Sequence, residues 1–143
     1  MDIDVDLVAR SCLGYRARMA TLNLSRIYNA ALRGIDLPIT QFWLLVAIAR
    51  NVARTQEAYA AVLGLERTTF LRNLKLLIAR GWVEKPVADE THLYRLTPAG
   101  EAMVARALPV WAAAQERIVA GIGKDHLPET YDSLRRLARL APA

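Results

Sequence analysis

Thr55-Gln56-Glu57-Ala58-Tyr59-Ala60-Ala61-Val62-Leu63-Gly64-Leu65-Glu66-Arg67-Thr68-Thr69-Phe70-Leu71-Arg72-Asn73-Leu74-Lys75 is the stretch on which the fold turns. Thr55 is a residue type that caps helix N-termini, and Gly64 one that ends helices, so a short helix is expected between them. After Leu65 a second helix is expected to start near Glu66 or Thr68 and to run to Arg80, where Gly81 stops it. Two short helices joined by a glycine-containing turn form the helix-turn-helix pattern. Within the second helix Phe70, Leu71, Leu74, Leu77 and Ile78 recur at the spacing of one face and are expected to pack inward. Arg67, Thr68, Thr69, Arg72, Asn73 and Lys75 then point mostly outward, with donors suited to base edges and phosphates. An ordinary solvated helix face mixes both signs of charge, whereas no acid falls between Glu66 and Glu84.

Downstream, Trp82-Val83-Glu84-Lys85 and Leu93-Tyr94-Arg95-Leu96 are short β-prone runs around a polar tip, which predicts a hairpin. Thr97 and Pro98 open a helix expected to reach about Ile122 with a bend at Pro109, and a last helix spans about Leu127 to Leu140. Upstream, Val5 to Arg33 reads as one helix, about 43 Å long at 1.5 Å per residue. Gly34 and Pro38 mark a loop, and Thr40 is the expected cap of a helix running to about Arg50. The fold class is therefore mainly α with a small β element (α+β): a winged helix-turn-helix between long N- and C-terminal helices.

Composition narrows the function. Hydrophobic residues make up 54% of the 143, rich for so small a domain, which points to either a thick core or apolar faces left for a partner chain. No run reaches the ~20 apolar residues of a membrane span, and Asp2, Asp4 and Asp6 replace the basic start of a signal peptide, so the expected compartment is the cytoplasm. A single cysteine and two histidines leave no cluster for a metal, and no phosphate loop, nucleophile elbow or HExxH is present; neither enzyme nor cofactor is expected. The net charge is +5, and residues 50–95 carry eight bases against five acids. Sixteen of the 19 bases are arginine, whose planar fork suits phosphate and guanine, although a GC-rich genome has the same effect.

Leu63-Gly64-Leu65-Glu66-Arg67-Thr68-Thr69-Phe70-Leu71-Arg72-Asn73-Leu74, together with Arg80-Gly81-Trp82-Val83 and Leu96-Thr97-Pro98-Ala99-Gly100, resembles the MarR family of bacterial winged-helix regulators. The resemblance extends over nearly the whole chain. It implies an obligate homodimer, entwined through residues 1–36 and 98–143, with a DNA-binding lobe at 37–97. It also implies a sequence-specific repressor on a pseudo-palindromic operator in double-stranded DNA, released by a small aromatic effector or by thiol oxidation. On this likeness Arg67, Thr68, Thr69, Arg72 and Lys75 face the groove, with Asn73 beside them, and Thr55 and Gln56 touch the backbone. The wing departs from the family, whose tip carries an Asp-x-Arg: here Asp89-Glu90-Thr91 holds no arginine, leaving His92 or Arg95 as substitutes.

Cys12 has two readings, a small buried hydrophobe or the redox sensor of a peroxide-sensing branch, with Arg10 and Arg16 close in sequence. Tyr15, Tyr28, Phe42, Trp43 and Trp111 are either core or the lining of an effector pocket. A different class of function, a winged helix used for protein–protein contact, is separated from DNA binding by its weaker dependence on salt.

Overall fold

In the computed structural model, which describes residues 4–142, the chain is built from seven α-helices and one short hairpin. Asp2 of the acidic opening lies outside the described residues. The helices are α1 (Val5–Ser11), α2 (Leu13–Leu32), α3 (Ile39–Ala49), α4 (Gln56–Leu63), α5 (Arg67–Ala79), α6 (Pro98–Ile122) and α7 (Leu127–Arg139). Strands β1 (Val83–Glu84) and β2 (Arg95–Leu96) pair antiparallel, Val83 opposite Leu96 and Glu84 opposite Arg95. The strands are shorter than the β-prone runs on either side of the tip.

Local chemistry accounts for most boundaries. The Thr55 hydroxyl accepts from Ala58 N at 3.1 Å, and Gly64 closes α4 at φ 64°, a left-handed conformation that suits glycine. The Thr97 hydroxyl accepts from Gly100 N at 3.1 Å, and Pro98 takes the first turn of α6, where its missing N–H leaves nothing unpaired. Through Pro109, α6 continues as one element.

Three expectations are corrected. The first helix breaks at Cys12 (φ −68°, ψ 109°), so 5–33 is not continuous: Arg16 reaches back to the Arg10 carbonyl, its Nε at 3.2 Å, and α1 buries no residue that would hold it in line. Thr40 does not cap α3; Asn29, ten residues earlier on α2, accepts from Ile39 N at 2.7 Å. Ile78 is exposed rather than inward, because the buried stripe of α5 is the narrower set Phe70, Leu74 and Leu77.

The core lies where α3 is enclosed by α2, α5, α6 and β2, with Leu32, Leu37, Leu44, Leu45, Ile48, Phe70 and Leu77 inside it. Tyr59 on α4 stacks on Phe70 of α5 at 6.1 Å between centroids and tilts against Tyr94 of the hairpin at 6.0 Å. These three rings fix α5 between α4 and the wing. By contrast α1 and α7 bury no residue, and Leu7, Val8, Leu13, Met19, Leu22, Leu134 and Leu137 stay exposed. No single helix among the described residues is long and apolar enough to cross a membrane.

Candidate nucleic-acid interface

Helix α5 presents two opposed faces. Phe70, Leu74 and Leu77 are buried, and Thr68, Arg72 and Lys75 repeat the same spacing two residues out of phase, about 200° round the helix. All three polar residues are exposed, and neither Arg72 nor Lys75 has an ion-pair partner among the described residues. Leu71, Leu76 and Ala79 flank them along an open trough of about 550 Å³. This surface combines unpaired donors with a strip of apolar contact, the combination that reads a major groove.

The other sequence-derived candidates are engaged to different degrees. Arg67 is exposed and sits 3.7 Å from Glu57 of α4, a loose pair that leaves its guanidinium free to exchange partners. Thr69 and Asn73 are half-buried, and Asn73 Nδ2 donates to the Thr69 carbonyl at 2.9 Å, so that amide is spent within the helix. The Thr55 hydroxyl is the cap of α4, and Gln56 Nε2 donates to Tyr94 Oη at 2.8 Å. Arg95 donates from Nε to Glu84 Oε1 at 2.6 Å across the hairpin. Gln56 and Arg95 therefore brace the wing against α4 and against itself.

The wing tip is ordered by Asp89. Its carboxylate accepts from Thr91 N at 2.8 Å, Thr91 Oγ1 at 2.6 Å and His92 N at 3.2 Å, with His92 Nδ1 3.2 Å from the other oxygen. These hydrogen bonds, those from Thr91 foremost, push its pKa down to about 2. Asp89 thus turns into its own loop, and Val87 stands outermost at 96% exposed. Asn51 Nδ2 donates to the Thr91 carbonyl at 2.9 Å and ties the tip to the end of α3. Arg54 and Lys85 line a recess of about 170 Å³ between the loop before α4 and the wing. Sequence reading counted both as bases without placing them; the signal was their position flanking Thr55 and the tip.

The five aromatics are not brought to one place. Phe42 and Trp111 pack at 6.4 Å between centroids, and the Tyr28 hydroxyl donates to Gln115 Oε1; burial raises the Tyr28 pKa, with Tyr131 adding to it. Trp43 is exposed because consecutive helix residues point about 100° apart, and Tyr15 is exposed about 20 Å along α2 from Tyr28. An apolar concavity of about 570 Å³ lies instead between α2, α6 and α7, among Leu24, Ile27, Ile118, Ile122 and Leu134. Cys12 is half-buried at the break between α1 and α2, with Arg16 held by the Arg10 carbonyl and Arg10 3.8 Å from Asp4.

A family model described as the MarR family matches residues 35–92. Among solved structures, the M. tuberculosis transcriptional regulator MosR is 30% identical, with 90% of this chain and 94% of that one covered and a TM-score of 0.80. A MosR structure in complex with DNA is 32% identical over 90% and 95%, with a TM-score of 0.76. The transcriptional repressor CouR bound to p-coumaroyl-CoA is 26% identical, with 98% and 100% covered and a TM-score of 0.83. Comparison with curated protein sequences finds no match.

Proposed function

Because the chain belongs to the MarR family, we propose that it is a homodimeric, sequence-specific DNA-binding repressor whose α5 enters the major groove. The observation that carries this reading is the acid-free face Thr68–Arg72–Lys75, without ion-pair partners among the described residues and backed by Tyr59, Phe70 and Tyr94. Arg72 reads a base edge; Arg67, Lys75, Arg54 and Lys85 neutralise phosphates on either side. Residues 37–97 form the DNA-binding lobe, and residues 1–36 with 98–143 form the dimer arms. The exposed apolar residues of α1, α2 and α7 support that division, since a second chain of the same kind would cover them. The compartment implied is the cytoplasm.

With its aspartate spent inside the turn and no arginine at its tip, the wing lies against the backbone through Lys85, beside Arg54, rather than probing the minor groove. Relatives bear on both halves of the reading: MosR is seen in complex with DNA, and CouR on a 23-mer duplex and with p-coumaroyl-CoA. A small aromatic effector is the releasing signal proposed here, in the region of Tyr28, Phe42 and Trp111. The test is fluorescence anisotropy on an operator selected from random duplexes, repeated across salt concentrations. Four bases in each of two half-sites give about eight phosphate contacts, hence a slope of log Kd against log salt of about 7. A flat salt response would favour an apolar protein partner and reject the DNA reading.

A further inference from the structure

We infer that Arg80 is a positioning residue that fixes the angle of the reading helix relative to the dimer arms, and so sets the half-site spacing the protein accepts. The inference rests on the dimeric DNA-binding reading above. Arg80 follows the last residue of α5, and Gly81, at φ 74°, turns the chain into the wing. The guanidinium lies 3.9 Å from the centre of the Trp82 ring. From there Nη1 donates to the Asp36 carbonyl at 2.7 Å, and Nη2 donates to Asp36 Oδ2 at 3.2 Å.

Asp36 is a junction. It sits at φ 50° between α2 and α3, where the chain passes from the arm into the lobe. The return passage, from β2 into α6, is gripped by the same turn: Thr97 N donates to the Trp82 carbonyl at 3.0 Å and Thr97 Oγ1 to the Gly81 carbonyl at 2.5 Å. Gly100 in the first turn of α6 lies so near that an added Cβ would stand 2.0 Å from Trp82 O. Both crossings between arm and lobe are therefore bonded to the three residues Arg80-Gly81-Trp82 that follow α5. The second crossing is held by a backbone bond and the Thr97 hydroxyl; at the first, Arg80 is the side chain of this turn that reaches across.

The ion pair itself adds little to stability. The Asp36 carboxylate is 93% exposed, and an ion pair so open to water contributes little to folding. Direction is what the arrangement supplies: a planar fork with two acceptors on one residue, backed by a ring, permits a single orientation. Two lobes held at one angle present two α5 helices at one separation, which a dimer must match to half-sites spaced by about a helical turn.

The test selects operators from a random duplex library in which the spacer between half-sites varies, using the parent, Arg80→Met and Arg80→Lys. Methionine keeps an apolar stem over Trp82 without donors; lysine keeps the charge without the fork. The parent is expected to enrich one spacer length, and both variants a distribution broadened to neighbouring lengths, with similar half-site sequences and melting temperatures. On the parent's best operator the variants should bind roughly tenfold more weakly, and on a spacer one base pair longer or shorter within about threefold of the parent, since loss of preorganisation penalises only the matched spacing. If either folded variant keeps the parent's single spacer, the inference is wrong. If the parent enriches no sequence at all, the DNA-binding reading fails instead, and the two failures are told apart.

Discussion

Replacing Gly100 with alanine puts a methyl group where there is no room. Its Cβ would lie 2.0 Å from Trp82 O, 2.9 Å from Trp82 C and 3.2 Å from Trp82 Cα, all backbone, where ordinary contact begins at 3.4 Å. The start of α6 and the Trp82 peptide would have to part by about 1.4 Å, the difference between 3.4 and 2.0 Å. That movement strains or breaks the 3.0 Å bond from Thr97 N to Trp82 O, and the Thr97 cap depends on the same turn. Overpacking costs about 1–3 kcal/mol and a lost backbone hydrogen bond about 1 kcal/mol, against which alanine returns about 1 kcal/mol of helix propensity. The expected net loss is about 1–3 kcal/mol, or roughly 2–12 °C in melting temperature for a chain of this length. Thermal unfolding at fixed protomer concentration measures it, because dimer stability depends on concentration. Gly34→Ala is the control: nothing lies within 4 Å of its added Cβ, and it should melt close to the parent. A Gly100→Ala protein melting within a degree of the parent would refute the close approach of α6 to the wing.

Three further outcomes are expected. Asn29→Ala should destabilise the protein by about 1 kcal/mol through loss of the cap on Ile39 N, while Thr40→Ala should be nearly neutral; chemical denaturation ranks the two, and the reverse order would contradict the capping assignment. Asp89 has a pKa lowered from 3.8 to about 2, so its support of the wing tip is complete above about pH 4 and is lost as pH falls toward 2. NMR titration of the Asp89 carboxyl should give a midpoint near 2, and a midpoint near 3.8 would mean the tip is not held this way. Cys12→Ser should respond to organic peroxide as the parent does, without release from DNA; release of the parent alone would make Cys12 the sensor.

How much of this was legible in the sequence depended on how local each cause was. The helix-turn-helix and the start of α6 follow from residues whose partners lie within four positions: Thr55 on Ala58, Gly64 in its left-handed turn, Thr97 on Gly100. The glycine of Leu96-Thr97-Pro98-Ala99-Gly100 acquires a physical reason in the 2.0 Å approach to Trp82. Causes acting across the fold were not legible. Asn29 caps a helix ten residues away, Gln56 is taken by Tyr94, and Arg80 looks like one more base until Asp36 is seen beneath it. The break at Cys12 has no proline or glycine at its centre, and the hold of Asp89 on its own tip exists only once the loop closes. The aromatics separate for a simple reason: Phe42 and Trp43 are neighbours in sequence but point to core and solvent.

The groove-facing role of α5 is tested most directly by Arg72→Ala on the selected operator, with Arg106→Ala as the matched change on α6. A bidentate contact to guanine contributes about 1–3 kcal/mol, and a dimer loses it twice, so binding should weaken by about 2–6 kcal/mol, or roughly thirtyfold to more than ten-thousandfold. Melting temperature should hold, because Arg72 is exposed and alanine is a good helix former. Arg106→Ala should bind as the parent does. An Arg72→Ala protein that melts with the parent and binds the operator equally tightly would contradict the placement of this helix in the groove.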